Sequence, residues 1–87
     1  MKTFDDLVFR PHLIGRGAVQ ATLDLGNDIE ISVVGGPRLY GNGTTSFEVA
    51  AFYKTLGKFV PMPDGENVSR WNSKEEVTEL INYLENL

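Results

Sequence analysis

The chain contains no cysteine. Disulfide frameworks, thiolate nucleophiles and thiolate metal ligands are therefore excluded together. It contains one histidine, His12, and no group of His, Cys and carboxylate residues has the spacing of a metal site. No serine stands near a base in the frame a catalytic triad requires. No apolar run approaches the ~18 residues of a transmembrane helix. Basic residues are few and scattered: eight Lys and Arg stand against twelve Asp and Glu, for a net charge of −4. Phosphate-backbone binding needs clustered cations, so direct nucleic-acid binding is disfavoured. The start, Met1-Lys2-Thr3-Phe4-Asp5-Asp6, is acidic where a signal peptide is basic and then apolar. Together with the missing cysteine this points to a reducing cytoplasm.

Phosphate-cradling glycine motifs are missing as well. Gly15-Arg16-Gly17 lacks the third glycine and the following helix of a dinucleotide fingerprint. Gly35-Gly36 runs into Pro37 rather than into a helix N-terminus. Asp5-Asp6 and Glu75-Glu76 are adjacent carboxylates, and neighbours on a helix point about 100° apart, so neither is an acid/base pair. The expectation is a non-enzyme with no catalytic residues, no cofactor and no metal. A small-ligand reading would need a pocket gathering Arg10, His12, Arg16 and Arg38; otherwise His12 reads as an ordinary loop residue.

What is present describes one small domain. Eighty-seven residues, 41% of them hydrophobic, allow one thin core. The clearest element is the last. Val77, Leu80, Ile81, Leu84 and Leu87 recur at helical spacing, with Glu75, Glu76, Glu79, Asn82, Glu85 and Asn86 on the other faces. Ser73 and Glu76 form a capping box, and the first-turn carboxylates suit the positive end of the helix dipole. A lone helix this short is marginal in water, so its stripe must dock on something.

The docking partner is a sheet. Val19, Ala21, Leu23 and Leu25 alternate with Ala18, Gln20, Thr22 and Asp24. Gly26-Asn27-Asp28 is suited to a hairpin turn. Ile29, Ile31 and Val33 then alternate with Glu30, Ser32 and Val34. The reading is a β-hairpin over roughly 18–34. A third strand runs from Ser46 to Tyr53, with Phe47, Val49, Ala51 and Tyr53 on one face and Ser46, Glu48, Ala50 and Phe52 on the other. Phe59 and Val60 begin a short fourth strand, cut off by Pro61 and Pro63. Thr3 to Leu7 reads as one capped helical turn, with Phe4, Leu7 and Phe9 pinning it to the core, and Arg10 to Arg16 as an extended approach or loop. Gly35 to Thr45 reads as a loop, and Val68 to Trp71 as the lead-in to the helix, with Trp71 packed near Val77 to close the end of the core. The fold class is α+β: an antiparallel meander of three to four strands with one C-terminal helix packed on one face.

Recognition is the chemistry that remains. Arg and aromatic residues anchor most protein interfaces. Arg38 and Tyr40 sit in the glycine-bracketed loop. Phe52 lies on the strand face opposite Phe47 and Val49, with Val34 of the neighbouring strand expected beside it. Phe52 is exposed if that second face is open, and covered if the segment Phe4 to Ile14 folds over it. An open apolar face would serve a protein partner or a second copy of the chain. Arg38, Tyr40 and Phe52 are the candidate partner-binding residues.

The order of short motifs carries a resemblance. Gly17-Ala18-Val19-Gln20-Ala21, Ile31-Ser32-Val33-Val34-Gly35-Gly36, Tyr40-Gly41, Phe47-Glu48-Val49-Ala50, Val68 and Glu76-Val77 together resemble small uncharacterised proteins of phages and prophages, over about Gly17 to Leu84. The resemblance implies a cytoplasmic, phage-related accessory protein. It carries no activity and no assigned site residues. The expected function is protein–protein contact, with a self-associating assembly component as the alternative.

Overall fold

The computed structural model describes residues 2–11, 17–36 and 46–87. His12, Arg16, Arg38 and Tyr40, and most of the loop read between Gly35 and Thr45, lie outside the described residues. The fold is α+β, an open antiparallel sheet with one C-terminal helix packed against it.

The sheet is built on the strands whose alternation is longest. β2 (Val19–Asp24) and β3 (Ile29–Gly35) form the hairpin, in register from Val19 opposite Gly35 to Asp24 opposite Glu30. The turn needs left-handed backbone, and it has it at Gly26 (φ 85°) and Asp28 (φ 69°). The Asp24 Oδ1 accepts the Gly26 amide at 2.8 Å, and the Leu25 amide donates to the Ile29 carbonyl at 2.9 Å. β4 (Phe47–Tyr53) pairs along the other side of β3. β1 (Arg10–Pro11) adds two residues to the far edge of β2.

The fourth column differs from the sequence reading. Two short strands share the outer edge of β4. β5 (Lys58–Phe59) pairs with Phe52 and Tyr53, while β6 (Val68–Asn72) pairs with the Phe47–Ala50 half. Among the described residues the sheet has six strands, where the sequence reads three to four. The excess consists of the two-residue β1 and of β6, which the sequence reads as a lead-in. β6 escapes a period-two reading because its register slips. Asn72 faces Phe47 and Ser69 faces Val49, so Arg70 and Trp71 stand against Glu48 alone. That is a β-bulge. Trp71 occupies it in the left-handed region, φ 59°, where a bulky residue is a genuine outlier.

The helix α1 (Lys74–Glu85) is capped as read: the Glu76 amide donates to Ser73 Oγ at 3.1 Å and the Ser73 amide to Glu76 Oε1 at 2.8 Å. Val77, Leu80, Ile81 and Leu84 are buried. Leu87 is not; it is 58% exposed because the helix stops at Glu85. The stop is held by tertiary contact, since the Asn27 side-chain amide donates to the carbonyls of Leu84 (2.9 Å) and Glu85 (3.4 Å). These are two of the carbonyls a helix end leaves without partners.

Ile29, Ile31, Val33, Val49 and Ala51 face Val77, Ile81 and Leu84 across the core, with Val60 and Met62 filling one side. At about 1.5–3 kcal/mol per fully buried aliphatic side chain, this face is where the domain's stability resides. The N-terminal segment joins the same side. Thr3 and Asp6 cap a 3-10 turn at Phe4–Asp6, and the Phe4 amide donates to Thr78 Oγ1 at 3.0 Å. The rings of Phe4, Phe9 and Phe47 meet with centroids 5.1–5.7 Å apart. Phe4 to Phe9 therefore packs with the helix rather than over the second face.

Trp71 departs from its expected place. It is 60% exposed and does not close the core. The buried position belongs to its neighbour Asn72, whose side-chain amide donates to the Phe47 carbonyl at 3.2 Å and whose Oδ1 accepts from Ser69 Oγ at 3.1 Å. The extra residue of the bulge turns Asn72 inward and leaves the indole outside.

Candidate functional site

The strand register maps the sheet's outer face in transverse rows. Arg10, Gln20, Val34 and Glu48 form the first. Thr22, Ser32, Ala50 and Val68 form the second. Asp24, Glu30, Phe52 and Phe59 form the third. No described element packs across these rows.

The rows divide the face into two halves. Over β1, β2 and β3 it is largely polar. Gln20 Nε2 donates to Ser32 Oγ at 3.1 Å, Thr22 is exposed, and Asp24 is paired with Lys54. That pair is self-consistent. The Lys54 ammonium, then the Gly26 amide, hold the Asp24 carboxyl below its ordinary value, and Asp24 in turn raises Lys54. Both groups are solvated, so the pair adds little to stability.

Over β4, β5 and β6 the second and third rows are apolar. Phe52 stacks on Phe59 with ring centroids 4.8 Å apart and planes tilted by 36°. Phe59 is 44% exposed and Phe52 partly so. Ala50 and Val68 continue the surface one row away. Among the three candidates, Phe52 is thus on the open face, whereas Arg38 and Tyr40 lie outside the described residues. The expected neighbour of Phe52 is corrected: Val34 pairs with Glu48, four residues from Phe52 along β4, roughly 13 Å away. The ring beside Phe52 is Phe59, from a two-residue strand too short for alternation to assign a face.

Trp71 is the second residue that sequence reasoning misplaces. A left-handed, non-glycine, largely exposed tryptophan stands on the edge strand next to this half of the sheet. Residues held in sparsely populated backbone regions cluster at functional sites. The only available signal was negative, since Val68-Ser69-Arg70-Trp71 lacks regular alternation.

At the opposite edge, Val8, Arg10, Pro11, Gln20 and Thr22 line an open depression of about 390 Å³. Of the four residues a ligand pocket would gather, it holds Arg10; the other three lie outside the described residues. Among the described residues no three His, Cys, Asp or Glu side chains converge as metal ligands, and no helix is long and apolar enough to cross a membrane. Compared with known proteins, no family model matches the chain, and no curated protein or solved structure matches it significantly.

Proposed function

We propose that the chain is a small phage- or prophage-type accessory protein that acts in the cytoplasm by contact with another protein, without cofactor or catalysis. The observation that carries this reading is the Phe52–Phe59 pair, Phe59 exposed and Phe52 partly so, on the face of the sheet turned away from the core. Among the described residues the core is packed on one face of the sheet, and an apolar patch on the other face is the kind of surface that serves contact with a partner. Trp71, beside that patch, is of the residue type that most often dominates interface energetics. Arg38 and Tyr40, which lie outside the described residues, stay candidate contributors on the sequence reading alone.

The same patch also favours the second reading, self-association, because an isologous contact needs only an apolar surface that is complementary to itself. A tagged pull-down from bacterial lysate with nuclease, read by mass spectrometry, tests the first. A partner retained by the wild type and by Glu79→Gln but lost with Phe59→Ser supports contact through this face. Equal capture by Phe59→Ser refutes it. Light scattering at high concentration, again with Phe59→Ser, decides the second.

A further inference from the structure

We infer that the bulge at Arg70 and Trp71 guards the edge of the sheet: it keeps β6 from pairing with a strand of a second copy of this chain. This concerns the edge and stands whether or not the outer face is a contact surface.

A strand at the end of a ladder offers unpaired amides and carbonyls that another extended chain can take up. Among the described residues no strand pairs with the outer side of β1, β5 or β6. Most of this edge is blunted without strain. β1 is two residues long, and its second is Pro11, which has no amide to donate. Beyond β1 the chain itself stands beside β2, since Val8 and Thr22 line the same depression. β5 is also two residues, one of them Lys58, and Pro61 and Pro63 follow it closely. The remaining stretch is β6, at five residues the longest edge strand. It carries neither proline nor lysine.

There the protection is a distortion. The β2–β3 and β3–β4 ladders each run six pairs without a shift. Among the described strands the register slips only in β6, where Arg70 and Trp71 stand against Glu48 alone. Two residues against one bend a strand and sharpen its twist, so its outward amides and carbonyls no longer keep the spacing a straight incoming strand needs. Trp71 adds bulk to the distortion. A left-handed position favours glycine, yet a tryptophan holds it at φ 59° and is largely exposed. Glycine would relieve the backbone and put nothing in the path of a second strand. Strain of this kind persists only where the surrounding structure enforces it, and here it is confined to the one long edge that has no other protection.

The test deletes Arg70 from the full chain. Ser69, Trp71 and Asn72 then stand one to one against Val49, Glu48 and Phe47, and Asn72 still faces Phe47. Sedimentation reads association, far-UV circular dichroism the fold, and hydrogen exchange the β6 amides. Each chain is compared with and without Phe59→Ser, which separates association through the outer face from association through the edge. In the Phe59→Ser background the deletion is expected to sediment as a dimer or larger where the undeleted chain is monomeric. Its β6 amides should then exchange about tenfold more slowly at high than at low concentration. Arg70→Ala loses the same side chain and its interaction but keeps two residues against Glu48, and is expected to stay monomeric. A folded, monomeric deletion variant overturns the inference. So does association that leaves β6 unprotected, or equal association of Arg70→Ala. If the deletion unfolds the chain, the undeleted chain decides: protection of its β6 amides that rises with concentration shows that the bulged edge pairs and overturns the inference, and unchanged protection supports it.

Discussion

At Trp71 the usual order of alanine and glycine should invert. In the middle of a regular strand glycine is less stable than alanine by about 0.5–1 kcal/mol, because the unfolded chain gains freedom. Trp71 sits at φ 59°, where any Cβ crowds the following carbonyl at a cost of about 1–2 kcal/mol. Alanine keeps that cost and glycine removes it. Both substitutions lose the indole, so its partial contacts cancel in the comparison. Trp71→Gly is therefore expected to be more stable than Trp71→Ala by about 0.5–1 kcal/mol. For a domain of this size that is roughly 3–6 °C in Tm. Far-UV circular dichroism during thermal and urea unfolding is the suitable assay, since both variants lack the chain's one tryptophan. If alanine equals or exceeds glycine, residue 71 is not left-handed. The bulge is then absent, and Asn72 would have no reason to face the core.

Other consequences are equally direct. Leu80→Asp buries an unpaired charge beneath α1 and should unfold a domain whose whole stability is about 4–13 kcal/mol, whereas exposed Glu79→Gln should change Tm little. Gly36→Ala should cost about 1–3 kcal/mol in urea unfolding: Gly36 has φ 133°, and an added Cβ would lie 2.6 Å from the Ala18 Cα, which is backbone and cannot step aside. Asn27→Ala removes the side-chain donor shared by the Leu84 and Glu85 carbonyls, Leu84 keeping only the Leu87 amide at 3.4 Å and the Asn86 amide, and should cost about 1–2 kcal/mol, with hydrogen exchange rising first in the last turn of α1. The Asp24 carboxyl is held below its ordinary 3.8, so its contribution is present above that pH and is lost as pH falls through the lower folded value. The Tm difference between wild type and Asp24→Asn should accordingly narrow at low pH; a difference that stays constant down to pH ~2 would show that Asp24 is not paired in solution.

The sequence by itself determined the elements whose causes are local. Ser73 and Glu76 lie within one turn of each other, and the Val77, Leu80, Ile81, Leu84 stripe is set by helical period, so α1 and its cap were legible residue by residue. Thr3 and Asp6 work over the same short range. The alternation of Val19–Asp24 and Ile29–Gly35 around a turn that demands left-handed backbone specified the hairpin, and Phe47–Tyr53 specified the next strand with both its faces. Hence the α+β class and the assignment of Phe52 to the face opposite Val49 followed without the structure.

What tertiary structure decided is everything that depends on which segments meet. Phe52 lies beside Phe59 rather than Val34 because register, not composition, pairs strands. The side of the sheet taken by Phe4 and Phe9 was settled by Thr78 and Phe47, distant in sequence. The exposure of Leu87 follows from Asn27 capping the helix two residues short of it. Trp71 is outside and Asn72 inside because one extra residue in β6 shifts the alternation, and a period-two pattern cannot reveal a shift that only its partner strand defines.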